Sequence, residues 1–146
     1  APEALDLVRR MWESTGAEVV SMAVEDHDQV LAATSHLPHV LAYALVDALA
    51  RSESSEEIFR CAAGGFRAFT RIASSDPVMW RVIAIANRGA LLAAIDKFST
   101  HLGELREAVA DEDAAALEAT FGRAKAARDQ FAALLAERSG RSGEDQ

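Results

Sequence analysis

The chain has 146 residues, half of them hydrophobic but only 6% aromatic, and its 15 Lys plus Arg against 23 Asp plus Glu give a formal net charge of −8. That length fits one ordinary domain with a real core, the alanine-rich mix suits packed helices better than a sheet sandwich, and the acidic balance argues against nucleic acid or an anionic membrane surface as partner. The lone Cys61 excludes an intrachain disulfide framework, and no apolar run or charged-then-apolar leader points to a membrane, so a soluble cytoplasmic protein is expected.

Residues 3–15 place Ala4, Leu5, Val8, Met11 and Trp12 at helical spacing, ending at Gly16. Ala17 to Met22 is β-branched and apolar and reads as a strand. Residues 25–50 read as one long helix with apolar positions at Val30, Leu31, Leu37, Leu41, Leu45 and Leu49. Pro38 lies inside it and predicts a kink or a freed carbonyl near Thr34. Arg51 to Glu57 is a polar connection, and Ile58 to Ala63 is ambiguous. Gly64-Gly65 predicts a backbone turn that residues with a Cβ would resist.

A short helix with one basic face follows. Arg67 and Arg71 are four apart and share a side, while Phe66, Phe69 and Ile72 fall opposite and are expected to anchor the segment in a core. Ser75-Asp76-Pro77 then signals a helix start. That helix is expected to run to about Ala110, with Ile95, Phe98, Leu102, Leu105 and Val109 as a heptad-like seam. Asp111-Glu112-Asp113 breaks it and opens a last helix carrying Leu117, Phe121, Ala124, Phe131 and Leu135. The two helices are expected to pair as an antiparallel hairpin. Their seams exceed what one hairpin covers and predict a dimer. Residues 139–146 form a polar tail.

Two clusters could carry chemistry. A rigid guanidinium fork at Arg71 in an acidic chain suits a carboxylate or phosphate. In Ser35-His36-Leu37-Pro38-His39, Ser35 and His39 share a helix face beside the proline, and an imidazole there can donate to a carboxylate or polarise a carbonyl. Taken singly, a histidine in such a helix is more often a satisfied boundary group, and an arginine face more often a solvated surface. His27 and His101 keep that plainer reading. A metal site is set aside, because His36 and His39 lack the four-residue spacing of the usual zinc pair. No nucleophile elbow, P-loop or G-x-G-x-x-G fingerprint occurs. Trp80 reads as a packing residue in the first turn of its helix.

Beyond these residues a resemblance takes over. His27-Asp28, Ser35-His36-Leu37-Pro38-His39, Ala63-Gly64-Gly65-Phe66-Arg67, Phe69-Thr70-Arg71-Ile72-Ala73 and Ser75-Asp76-Pro77-Val78-Met79-Trp80-Arg81 occur in this order. Together with Asn87 and Leu91-Leu92, they resemble the C-terminal helical domain of the prephenate dehydrogenase family, including its arogenate-using and dual-specificity members. The resemblance covers residues 3–135. It implies an all-α, long-helix dimerisation and substrate domain over 24–138. Residues 1–23 would be the helix–strand end of a Rossmann-type nucleotide-binding domain, and 139–146 the tail. The chain is then expected to be part of a longer enzyme.

That enzyme oxidises prephenate with NAD or NADP, with loss of carbon dioxide, to 4-hydroxyphenylpyruvate in tyrosine biosynthesis. The nucleotide and the catalytic histidine, which takes the ring-hydroxyl proton, belong to the nucleotide domain, so this chain alone is expected to be inactive. By resemblance Arg71 holds a substrate carboxylate and His39 hydrogen-bonds the substrate. Ser35 and His36 line the pocket, Gly64 and Gly65 let the backbone approach the substrate, and Trp80 supports Arg71 from behind. The implied partners are a second copy of the chain, prephenate or arogenate, and tyrosine as a candidate inhibitor. The chain departs from the family at Ala68 and Val82, where acids are usual. The competing reading is a free-standing dimeric module that binds an aromatic acid without dehydrogenase activity.

Overall fold

The structure, a computed structural model, describes residues 2–141. Its elements are α1 (Pro2–Glu13), α2 (Val24–Leu31), a π-helical turn (Ala32–His36), α3 (Leu37–Ala50), α4 (Ser55–Arg60), α5 (Gly64–Thr70), a 3-10 turn (Arg71–Ser74), α6 (Pro77–Ala86), α7 (Arg88–Ala110) and α8 (Ala114–Arg141). The all-α class holds. Gly16, at φ +82°, ends the first helical segment in the left-handed region that glycine tolerates. The strand expected at 17–22 does not form among the described residues. A lone strand has no ladder to join.

The long helix expected over 25–50 is present but interrupted. Pro38 has no N–H to give the Thr34 carbonyl, and the helix widens just before it: the Leu37 N–H reaches back five residues to the Ala32 carbonyl. Thr34 Oγ1 donates to the Val30 carbonyl at 2.7 Å. Beyond the π turn, α3 packs against α4, α5 and the 3-10 turn. Gly64 and Gly65 are the first two residues of α5 and neither has a positive φ. A Cβ added to either meets nothing within 4 Å. The expectation that this pair makes a turn closed to other residues is therefore corrected. Phe66 is half-buried and packs near Phe59, with ring centroids 6.1 Å apart, whereas Phe69 stays exposed rather than anchoring a core.

Asp76 caps α6, its Oδ1 accepting from the Val78 N–H at 2.8 Å, and Pro77 takes the first helical position. The single helix expected from there to Ala110 is two. It breaks at Asn87, where α6 and α7 meet at 94°. After α7 the chain turns through Glu112 at φ 54°, and Asp113 Oδ1 accepts from the Ala116 N–H to start α8.

The chain divides into two compact units, one spanning Met22–Thr100 and the other made of the residues before and after it. The first unit holds the buried apolar side chains found among the described residues: Ala32, Ala42 and Leu91. In the second, Leu105, Ala108, Leu117 and Thr120 are half-buried about the turn, but every side chain from 121 to 136 is exposed. The stripe expected to close the hairpin stays open to solvent along most of α8, Phe121 at 59% and Phe131 at 53% exposure. The tail expected at 139–146 lies outside the described residues from 142 onward. No single described helix is long and apolar enough to cross a membrane.

Candidate functional site

The π turn sets the geometry of the Ser35–His39 cluster. His39 Nδ1 lies 2.9 Å from the Ser35 carbonyl oxygen. A carbonyl only accepts, so Nδ1 carries the proton. In the neutral ring Nε2 is then left as an acceptor; in the protonated ring it is a second donor. One face of the His39 ring is covered by Trp80, with centroids 3.6 Å apart and planes 20° from parallel. The half-buried His36 meets the same indole edge-on at 6.1 Å.

Trp80 occupies the first turn of α6 as the sequence indicates, its N–H bonded to the Asp76 carbonyl. Its ring contact is with the two histidines, however, and no cation–π contact joins it to Arg71 among the described residues. Trp80 backs His39. Trp80 Nε1 is buried and finds no acceptor among the described residues.

Arg71 opens the 3-10 turn, exposed, four residues after the exposed Arg67. Neither forms an ion pair among the described residues, nor does Arg81. In a chain of charge −8 these cations have no carboxylate partner among the described residues. The turn is tied to the histidine helix. Tyr43, one turn after His39 on α3, donates its hydroxyl to the Ser75 carbonyl at 2.7 Å, directly after the Arg71–Ser74 turn. Ser75 Oγ closes the same turn onto the Ile72 carbonyl at 2.7 Å. A small cavity of about 260 Å³ sits beside this junction, lined by Val40, Tyr43, Pro77, Trp80 and Arg81. A wider hollow of about 730 Å³ is bounded by Glu25, Asp28, Asn87, Ala90 and Lys97.

The structure therefore brings Ser35, His36, His39 and Trp80 together and packs α3, which carries His39, against the turn that starts at Arg71. Gly64 and Gly65 open the helix that leads into that turn, with free space where side chains would stand. Tyr43 and Asn87 were not singled out for a role from the residues alone. Tyr43 is the only tyrosine of the chain, and Asn87 is a polar residue in the apolar run Ile83-Ala84-Ile85-Ala86; those were the available signals. His27 and His101 are exposed and pair locally, with Asp28 at 3.1 Å and Glu104 at 3.0 Å. Among the described residues no three His, Cys, Asp or Glu side chains cluster closely enough to hold a metal.

The described residues do not build a nucleotide cradle either. The sole adjacent glycine pair begins a seven-residue helix with no strand before it, unlike the strand–glycine turn–helix that receives a dinucleotide pyrophosphate. The His36–His39–Trp80 cluster sets two imidazoles on one aromatic wall, and the exposed Arg71 fork, suited to a carboxylate, lies on the neighbouring turn and is not among the residues lining the cavity at this junction.

The family described as "Prephenate dehydrogenase, dimerization domain" matches residues 23–123. The cyclohexadienyl dehydrogenase of Zymomonas mobilis is 41% identical over 128 residues, covering 86% of this chain and 44% of that protein. The prephenate dehydrogenase of Bacillus subtilis is 39% identical over 128 residues, covering 87% and 34%. Prephenate dehydrogenase from A. aeolicus, crystallised in complex with hydroxyphenyl propionate and NAD+, superposes with a TM-score of 0.84 at 39% identity, over 90% of this chain and 46% of that one. Arogenate dehydrogenase from Synechocystis gives 0.80 at 27% identity, over 90% and 48%. The chain spans less than half the length of each of these relatives.

Proposed function

The chain belongs to the prephenate dehydrogenase dimerization-domain family, and we propose that it is the dimerisation and substrate-binding part of an NAD(P)-dependent prephenate or arogenate dehydrogenase of tyrosine biosynthesis. The reaction moves the C4 hydrogen of the substrate ring to the nicotinamide as a hydride while the ring carboxylate leaves as carbon dioxide and the ring becomes aromatic. This chain's share is to hold and aim the substrate. Arg71 takes a substrate carboxylate through its fork. His39, its ring fixed by the Ser35 carbonyl and the Trp80 face, hydrogen-bonds the substrate. Ser35 and His36 line the pocket. The open space over Gly64 and Gly65 admits the substrate next to the backbone. The nucleotide is held by a part of the protein not found in these 146 residues, and residues 1–23 belong to the end of that part; the family match starting at residue 23 supports this boundary.

Two copies of the chain assemble as a homodimer in the cytoplasm. The exposed stripe of α8 supports the first statement, and a single cysteine without a disulfide framework supports the second.

The observation that carries the reading is the junction of α3 with the Arg71 turn, where an exposed guanidinium and an oriented imidazole sit on contacting elements. Arg71→Ala in the full-length enzyme tests it. A charge-assisted hydrogen bond contributes about 1.5–3 kcal/mol, so kcat/KM for prephenate is expected to fall about 10- to 150-fold. An unchanged kcat/KM and KM would remove Arg71 from the site.

A further inference from the structure

The geometry points to Asn87 as a positioning residue that fixes the tautomer of His36 and makes its Nε2–H a dedicated donor to an acceptor oxygen of the substrate. Asn87 stands at the corner between α6 and α7, with φ −103° and ψ 35°. Its side chain joins residues distant in sequence. Nδ2 lies 2.8 Å from the Asp28 carbonyl oxygen and 3.2 Å from His36 Nδ1. The first contact settles the orientation of the amide: a carbonyl can only accept, so the group facing it is the NH2 and not the amide oxygen. That carbonyl also takes the Ala32 N–H, which uses its second lone pair.

The second contact then settles the imidazole. An NH2 group donates, so His36 Nδ1 must accept, and the neutral ring carries its proton on Nε2. Nε2 has no hydrogen-bond partner among the described residues. His39 is held the opposite way, with its proton on the Nδ1 that faces the Ser35 carbonyl. Two imidazoles packed on one indole thus present unlike nitrogens: His36 a fixed donor, His39 an acceptor when neutral. The ligand class this suits is a ring acid with a carboxylate or keto oxygen for His36. That ligand rests on the functional reading above; the tautomer does not.

The experiment is a two-bond proton–nitrogen correlation spectrum of the full-length protein with 15N-labelled histidine, without ligand, with His36 assigned by its loss in His36→Gln. The expected pattern is an unprotonated Nδ1 and a protonated Nε2 for His36, and the reverse for neutral His39. In Asn87→Asp a carboxylate replaces the donor, so His36 Nδ1 is expected to gain a proton. The Kd for hydroxyphenyl propionate is then expected to rise about tenfold. A His36 proton on Nδ1 in the unsubstituted protein, or a pattern unmoved by Asn87→Asp, overturns the proposal. The unsubstituted spectrum decides even where the variant does not fold. If the tautomers are as stated and the unsubstituted protein does not bind hydroxyphenyl propionate, the substrate assignment falls and the positioning role stands.

Discussion

Trp80 offers its face to the His39 ring at 3.6 Å while its indole N–H is buried without an acceptor among the described residues. The two features pull in opposite directions. A stacked aromatic pair contributes about 0.5–1.5 kcal/mol beyond its buried area, and an unpaired buried donor costs about 1–3 kcal/mol. A phenylalanine keeps a ring for His39 and removes the donor. Trp80→Phe is therefore expected to hold its unfolding free energy within about 1 kcal/mol of the original, and to keep its affinity for hydroxyphenyl propionate. Trp80→Ala is expected to lose both, with affinity down about threefold to tenfold. Denaturant melts and calorimetric titration of the two variants check this. A phenylalanine variant as weak as the alanine variant would show that the indole N–H, not the ring face, is what matters.

The π turn between α2 and α3 is the element that shapes the cluster. It replaces regular helical hydrogen bonds with a wider turn, and directly after it the His39 ring meets the Ser35 carbonyl. Pro38→Ala restores an N–H opposite the Thr34 carbonyl and permits a regular helix. Proline is about 3 kcal/mol worse than alanine inside a helix, so the melting temperature is expected to hold or rise. Affinity for hydroxyphenyl propionate is expected to fall several-fold as His39 leaves its carbonyl. A gain in stability with affinity intact would detach the π turn from the site. This disruption was readable in the sequence because it follows from one missing N–H. So were the end at Gly16, the Asp76-Pro77 start and the Asp111–Asp113 break, each a local rule of backbone and cap. The corner at Asn87 was not readable. The apolar spacing continues through it, and asparagine is only mildly unfavourable in a helix. The bend is joined by contacts to Asp28 and His36, 59 and 51 residues earlier in the chain. The strand reading of 17–22 failed for a related reason: β-branched residues favour a strand only where another strand can pair with them. The histidine tautomers were likewise beyond the sequence, because they are set by which partner each nitrogen meets.

Leu102, Val109, Phe121, Phe131 and Leu134 are exposed apolar side chains along α7 and α8, surface of the kind a second copy would cover in the proposed dimer. The site residues, in contrast, all fall within the unit Met22–Thr100. That unit carries both the histidine turn and the arginine turn, and under the proposed function the two act on one anion. Calorimetric titration of the full-length protein with hydroxyphenyl propionate measures this in a double-mutant cycle of Arg71→Ala and His39→Ala. Each single variant is expected to bind at least about tenfold more weakly, and the double variant to lose less than the product of the two, with a coupling of about 0.5–3 kcal/mol. An affinity unchanged in either single variant would contradict a shared ligand.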